Sequence, residues 1–140
     1  MFKPSSENSA STRKLIESIF ARRVPNRNKY IIAYAYYMKH GLFGKKVFSY
    51  VVGFSMEYPE LVIIKTDSDG HSGNAVLLKK DQIVSAKRGR RGDTKIITTG
   101  ETYQFVVPTY TPTTLEASFI LPIIQEAEAK KFMAFIKSIS

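Results

Sequence analysis

Between residues 30 and 107 large apolar side chains alternate with smaller or polar ones, and toward both ends of the chain the spacing turns helical. YIIAYAYYM, residues 30–38, sets Ile32, Tyr34, Tyr36 and Met38 against Ile31, Ala33, Ala35 and Tyr37. KVFSYVVGFSM, residues 46–56, sets Phe48, Tyr50, Val52, Phe54 and Met56 against smaller neighbours. A period of two in aromatic and β-branched residues predicts half-buried strands, with the larger side chains on the inner face. HGLFG, residues 40–44, is a glycine-bounded loop between them. A third strand, LVIIKT at 61–66, follows the break at Tyr58-Pro59 and runs into DSDGHSGN, where Asp69-Gly70 signals a hairpin. AVLLKK at 75–80 and QIVSAKR at 82–88 read as a fourth strand and its bent continuation or a fifth. TKIITT at 94–99 and TYQFVV at 102–107 form a hairpin about Gly100-Glu101.

Leu15, Ile16, Ile19 and Phe20 fall at helical spacing and predict a helix over 12–24, with Ser11 available as its cap. Pro25 disfavours helix in the residue before it and ends the element. The polar, Ser-rich residues 1–11 are expected to be flexible. Phe132, Phe135, Ile136 and Ile139 share one face of a second helix over 125–139, with Glu126 and Glu128 near its amino end and Lys137 near its carboxyl end, as the helix dipole favours. Residues 108–122 admit two readings: Pro108 and Pro112 argue for an extended loop, and the alternation of Leu115, Ala117, Phe119 and Leu121 for a last strand at its end. The resulting expectation is a mainly β (α+β) fold, an antiparallel barrel or curved sheet of six or seven strands over 30–121, with an N-terminal helix and a C-terminal capping helix in one domain over 12–140.

Composition narrows the function classes. A chain of 140 residues is one domain by length, and without cysteine it has neither a disulfide framework nor a thiolate metal site. The start MFKPSSENSAS lacks a signal-peptide apolar run, and no stretch approaches the roughly 18 apolar residues of a membrane span, so a cytoplasmic protein without a transmembrane segment is expected. The net charge of +9 raises the prior for an anionic partner. That charge is concentrated: residues 1–29 and 79–95 each carry seven positive and two negative side chains, and 39–46 adds Lys39, Lys45 and Lys46.

No cluster of residues predicts catalysis, a metal or a cofactor. His40 and His71 each adjoin a glycine in a turn, without an acid at motif spacing, and no nucleophile elbow or phosphate loop is present. Asp67 and Asp69 precede a glycine as in a calcium loop, but position twelve is Leu78, where calcium needs a carboxylate; this is a hairpin turn. Tyr30, Tyr34, Tyr36, Tyr37, Phe48, Tyr50 and Phe54 suit either a nucleic-acid stacking platform or a barrel interior, the second being favoured. Leu42 and Phe43, flanked by lysines, suit either an interfacial membrane contact or a tip folded back on the sheet. AKRGRRGDTK, residues 86–95, places Lys87, Arg88, Arg90, Arg91 and Lys95 on a turn for which Gly89 and Gly92 supply positive backbone angles. Its Arg-Gly-Asp tripeptide has no role as an adhesion ligand in a chain expected to stay inside the cell.

The segment NAVLLKKDQIVSAKRGRRGDTKIITTGETYQFVVP resembles the middle of bacterial pleckstrin-homology-like (PH-like) domains, with a basic hairpin followed by a strand ending in proline. LPIIQEAEAKKFMAFIKSI resembles their capping helix, entered through an apolar linker. The resemblance covers residues 30–140 and implies a non-enzymatic binding scaffold without fixing a ligand. In lipid-binding members a lysine is followed about ten residues later by a basic pair; here Ser49-Tyr50 follows Lys39, so phosphoinositide binding does not carry over. The expected function is docking of a protein partner or an anionic membrane surface through Lys39, Phe43, Lys45 and Lys46 and through Lys87, Arg88, Arg90, Arg91 and Lys95. The alternatives are nucleic-acid binding by the same basic hairpin, and a small α+β enzyme or complex subunit.

Overall fold

The computed structural model describes residues 3–25, 27–42, 44–67, 70–89, 92–111 and 120–140, with the side chains of Arg27 and Lys45 excepted. Among the described residues, helix α1 (Ser6–Arg23) is followed by seven strands and then by helix α2 (Glu126–Ile139). The strands are β1 (Ile31–Gly41), β2 (Gly44–Ser55), β3 (Glu60–Thr66), β4 (Ser72–Lys79), β5 (Ile83–Arg88), β6 (Thr94–Thr98) and β7 (Thr102–Phe105). They form two antiparallel sheets, ordered β1-β2-β3-β4 and β5-β6-β7, and the fold is mainly β with one helix at each end of the chain. Among the described residues one backbone bridge joins the sheets: Tyr36 and Val106 exchange hydrogen bonds of 3.0 and 2.7 Å. Among the described residues the strands do not close a barrel. No described helix is long and apolar enough to cross a membrane.

Helix α1 starts earlier than its apolar spacing indicates. Ser5, not Ser11, is the cap, its hydroxyl accepting from the Asn8 amide at 3.1 Å, so residues 6–11 belong to the helix. Ser9 and Thr12 are buried although polar, and the Ser9 hydroxyl accepts from the Ile124 amide at 2.8 Å. Small hydroxyl side chains can pack a helix closely against a neighbouring segment, which hydropathy does not register. The helix ends as Pro25 requires, with Val24 as its C-cap.

The four-stranded sheet is buried on both faces, where alternation had indicated one. On one face Ala33, Ala35, Val52, Phe54, Leu61 and Ile63 pack with Phe105 of β7 and with Phe132, Phe135 and Ile136 of α2. On the other, Tyr34, Val51, Val62 and Ile64 pack under Ile16, Ile19 and Phe20 of α1 and under Ile120, Leu121 and Ile123. The larger residues of β1 and β2 therefore lie on opposite faces, not on one inner face. Ala33 and Ala35 are small where the rings of Phe54, Phe132 and Phe135 fill the core beside them. On the α1 side the Phe20 ring lies over Gly53, where an added Cβ would sit 2.3 Å from the ring.

Residues 112–119, which include most of the expected last strand, lie outside the described residues, as does Asp69 of the expected hairpin signal. The segments flanking 112–119 meet at the Tyr110–Ile124 bridge, where the Thr111 amide donates to the Ile123 carbonyl and the Gln125 amide to the Thr109 carbonyl, and the Thr111 hydroxyl donates to the Leu121 carbonyl and accepts from the Ile123 amide. A buried polar network fixes the approach to α2. The Tyr34 hydroxyl lies 2.6 Å from the Ser49 hydroxyl and accepts from the Leu121 amide at 3.2 Å. Gln125 is the N-cap residue of α2 but does not cap it with its side chain. Its carboxamide pairs with β1 instead: the Tyr34 amide donates to Oε1 at 2.8 Å, and Nε2 donates to the carbonyls of Tyr34 at 2.8 Å and Pro108 at 2.9 Å.

Burial holds the Tyr34 phenol above its usual range, against the smaller opposing effects of its two hydrogen bonds. A raised folded-state value favours the neutral phenol, so this contribution to stability is complete below pH ~10 and is lost as pH rises through the raised value. Tyr34→Phe should therefore lose about 1–2 kcal/mol at neutral pH through the lost hydrogen bonds, yet decline less steeply above pH ~10 than the parent. Urea midpoints measured from pH ~8 to pH ~11 check both parts; a parallel alkaline decline would contradict the assignment to Tyr34.

Candidate functional site

The three basic segments of the sequence have different fates. In the first, five of the seven cations tie the fold together: Arg13 pairs with Glu128 at 2.7 Å, Lys29 with Glu60 at 3.1 Å and Lys3 with Glu126 at 3.1 Å. Arg22 donates to the Gly70 carbonyl and Arg23 to the Ser72 carbonyl and hydroxyl. By contrast Lys39, Lys46, Lys87, Arg88 and Lys95 are exposed and make no ion pair among the described residues. Phe43, Arg90 and Arg91 lie outside the described residues; of Lys45 only the backbone is described, paired with His40.

Strand register locates the exposed cations. Lys39 pairs with Lys46 near the end of the β1–β2 hairpin, and Lys87 pairs with Lys95, which in turn pairs with Gln104 of β7. The β5–β6 turn lies at the level of Phe105, beside the Tyr36–Val106 bridge, whereas Gly41 is five residues farther along β1. At about 3.3 Å per residue the two hairpin tips stand at least roughly 17 Å apart along the strands. They are not one tip cluster. The residues also divide by face: Lys39 and Lys46 share the alternation of Ala35 and Tyr50, on the α2 side, while Lys87 and Lys95 project opposite to buried Ala86 and Ile96.

What the fold brings together is the flank between them. Beyond the Tyr36–Val106 bridge β1 and β7 separate, leaving a cleft of about 600 Å³ lined by Tyr36, Met38, Lys39 and His40 on one side and by Asp93 and Gln104 on the other. In an antiparallel ladder every second residue directs both backbone groups to the same edge. Tyr34 and Tyr36 use that edge of β1 for Gln125 and Val106, so Met38 and His40 direct theirs into the cleft, where neither has a backbone partner among the described residues. Gln104 stands in the same relation to Val106 on β7. Two strand edges thus face each other without pairing.

The turn between β5 and β6 is held from inside. The Gly89 amide donates to the Asp93 carbonyl at 2.7 Å, and the Gln104 side chain donates to the Asp93 carboxylate. Asp93 is turned inward, so the acidic member of the Arg-Gly-Asp tripeptide is engaged within the fold. Gly92 has the expected positive φ of 82°, but Gly89 does not; a Cβ added at Gly89 would lie 2.3 Å from the Asp93 carboxylate and push that side chain aside.

Of the seven aromatic residues weighed as a stacking platform, Tyr34 and Phe54 are fully buried and Tyr30, Tyr36 and Tyr50 pack against the two cores. Leu42, at the β1–β2 tip, is 99% exposed. The open edge of β1 escaped the sequence reading. No sequence signal marks it: Lys39 and His40 on β1 and Asp93 and Gln104 far along the chain line one cleft, and nothing in the linear order connects them. In comparisons with known proteins, no family model and no curated protein matches this chain.

Proposed function

We propose that this protein is a non-enzymatic docking module of PH-like layout, which holds an extended acidic segment of a partner protein along the free edge of β1. Four strands and three strands in meander order, with a C-terminal helix packed between the sheets, support the PH-like reading. The observation that carries the docking role is the cleft where β1 and β7 separate, with backbone groups at Met38 and His40 that are unpaired among the described residues. An incoming strand satisfies those groups, as strand addition does at exposed sheet edges. Lys39 and Lys46 on one face and Lys95 on the other select for acidic side chains on that strand.

The test is a titration of the protein with a peptide of about 10 residues, alternating Glu and Val and long enough to span the cleft, and with its Lys-Val counterpart, followed by amide chemical shifts. The Glu-Val peptide should shift Met38, His40 and Gln104, and its affinity should fall with salt. Met38→Pro removes an N–H directed into the cleft but none that pairs with β2, so it should leave the β1–β2 ladder paired, at some cost from the Met38 side chain packed on the α1-side core, and weaken binding at least about tenfold. Lys39→Glu with Lys95→Glu should produce a similar loss. Binding that ignores all three changes, or prefers the Lys-Val peptide, would overturn the proposal.

A membrane reading is favoured by one observation, the full exposure of Leu42 between Lys39 and Lys46 at the hairpin tip. Cosedimentation with anionic vesicles that is lost in Leu42→Asp but retained in Met38→Pro would select it.

A further inference from the structure

A second cleft, distant in register from the β1–β7 edge, lies where the carboxyl end of α1 meets the outer face of β3 and β4. It has a volume of about 330 Å³, at the small end of the range for ligand pockets. Its floor is apolar: Val62, Ala75 and Leu77, the last 45% exposed although it is a large aliphatic residue on a strand. Apolar surface left open in a concavity, with charged groups around it, is the usual form of a small-molecule site.

The charges at its rim are unbalanced. Glu60 is already neutralised, its Oε2 accepting from the Tyr30 hydroxyl at 2.7 Å and from Lys29 at 3.1 Å. Lys79, across the β3–β4 pair from Glu60, makes no ion pair among the described residues. The Arg23 guanidinium is held in place by Ser72, donating to its hydroxyl at 3.1 Å and its carbonyl at 2.9 Å, and it too has no carboxylate partner among the described residues. Three cations, Lys29, Lys79 and Arg23, therefore border an apolar floor with Glu60 as the one described carboxylate among them: it is bonded to Lys29 and also feels the charge of Lys79 opposite it, and the rim keeps a net positive charge.

We infer that this cleft binds a small amphipathic carboxylate, with its apolar chain over Val62, Ala75 and Leu77 and its head group at the rim formed by Arg23 and Lys79. Arg23, already oriented by Ser72, keeps further N–H groups for the carboxylate. Lys79 supplies a second charge without geometric demand. The site is independent of the β1–β7 cleft, so either can fail its test without affecting the other.

Octanoate and octylammonium share a chain and differ in the sign of the head group, and titration of each, followed by amide shifts and calorimetry, separates charge recognition from apolar contact. Octanoate should saturate with a Kd of about 1 mM or tighter, with shifts at Ala75, Leu77 and Lys79, and octylammonium should bind at least about tenfold more weakly. Lys79→Glu, a change at an exposed position, should reverse that preference. Leu77→Asp should weaken octanoate at least about tenfold while the far-ultraviolet circular dichroism is unchanged. Equal binding of the two probes, octanoate shifts confined to other surfaces, or octanoate affinity unaffected by both substitutions would overturn the inference.

Discussion

Phe132→Ala is expected to lose about 3–5 kcal/mol of stability, a large share of the roughly 5–15 kcal/mol that holds a folded domain together. Phe132 is 1% exposed and stands where α2 meets both sheets: its ring lies 5.3 Å from that of Phe54 on β2, 5.9 Å from Phe105 on β7 and 6.3 Å from Phe135. Truncation removes the contact that joins the two sheets through the helix, and the surrounding rings cannot close the space without leaving their own contacts. Lys131→Ala, one residue away on the exposed side, should change stability by no more than about 0.5 kcal/mol. Because the chain has no tryptophan, urea unfolding followed by circular dichroism is the suitable measurement. A loss below about 1.5 kcal/mol for Phe132→Ala would mean that α2 does not couple the sheets in this way.

The helical ends of this fold were legible in the sequence because burial there follows a single stripe. Phe132, Phe135, Ile136 and Ile139 are all buried, as are Ile16, Ile19 and Phe20. The strands were legible as strands, and their order in the chain gave the hairpins. Their environment was not, since alternation distinguishes two faces only when one is polar, and β1 to β3 are apolar on both. Ala33 and Ala35 look like the outward side of a strand until the rings that fill the space beside them are known.

The candidate site was legible only in part. The sequence marks Lys39, Lys46, Lys87, Arg88 and Lys95 as unusual by their density, but charge density cannot separate cations that bind from those that brace. Arg13, Arg22, Arg23 and Lys29 belong to an equally basic segment, and every one has a partner inside the fold. Nor does a sequence show an open strand edge. The unpaired groups of Met38 and His40 follow from a three-dimensional event, the separation of β1 from β7 beyond Tyr36 and Val106.

The other end of that edge is closed by one side chain, and Gln125→Leu is expected to remove about 3–5 kcal/mol. Gln125 is 1% exposed and imitates a neighbouring strand, accepting from the Tyr34 amide and donating to the Tyr34 carbonyl, with a further hydrogen bond to the Pro108 carbonyl. Leucine has a similar volume, so little cavity forms; the cost arises because two buried backbone groups of Tyr34 and the partly buried Pro108 carbonyl lose their partners at once. Gln125→Asn is too short to serve Tyr34 and Pro108 together and should recover only part of the loss. Amide exchange at Tyr34 should accelerate more than at Val51, which lies opposite it in the β1–β2 ladder. A Gln125→Leu protein as stable as the parent would show that water replaces the carboxamide, and that the edge of β1 is open at Tyr34 as well as at Met38.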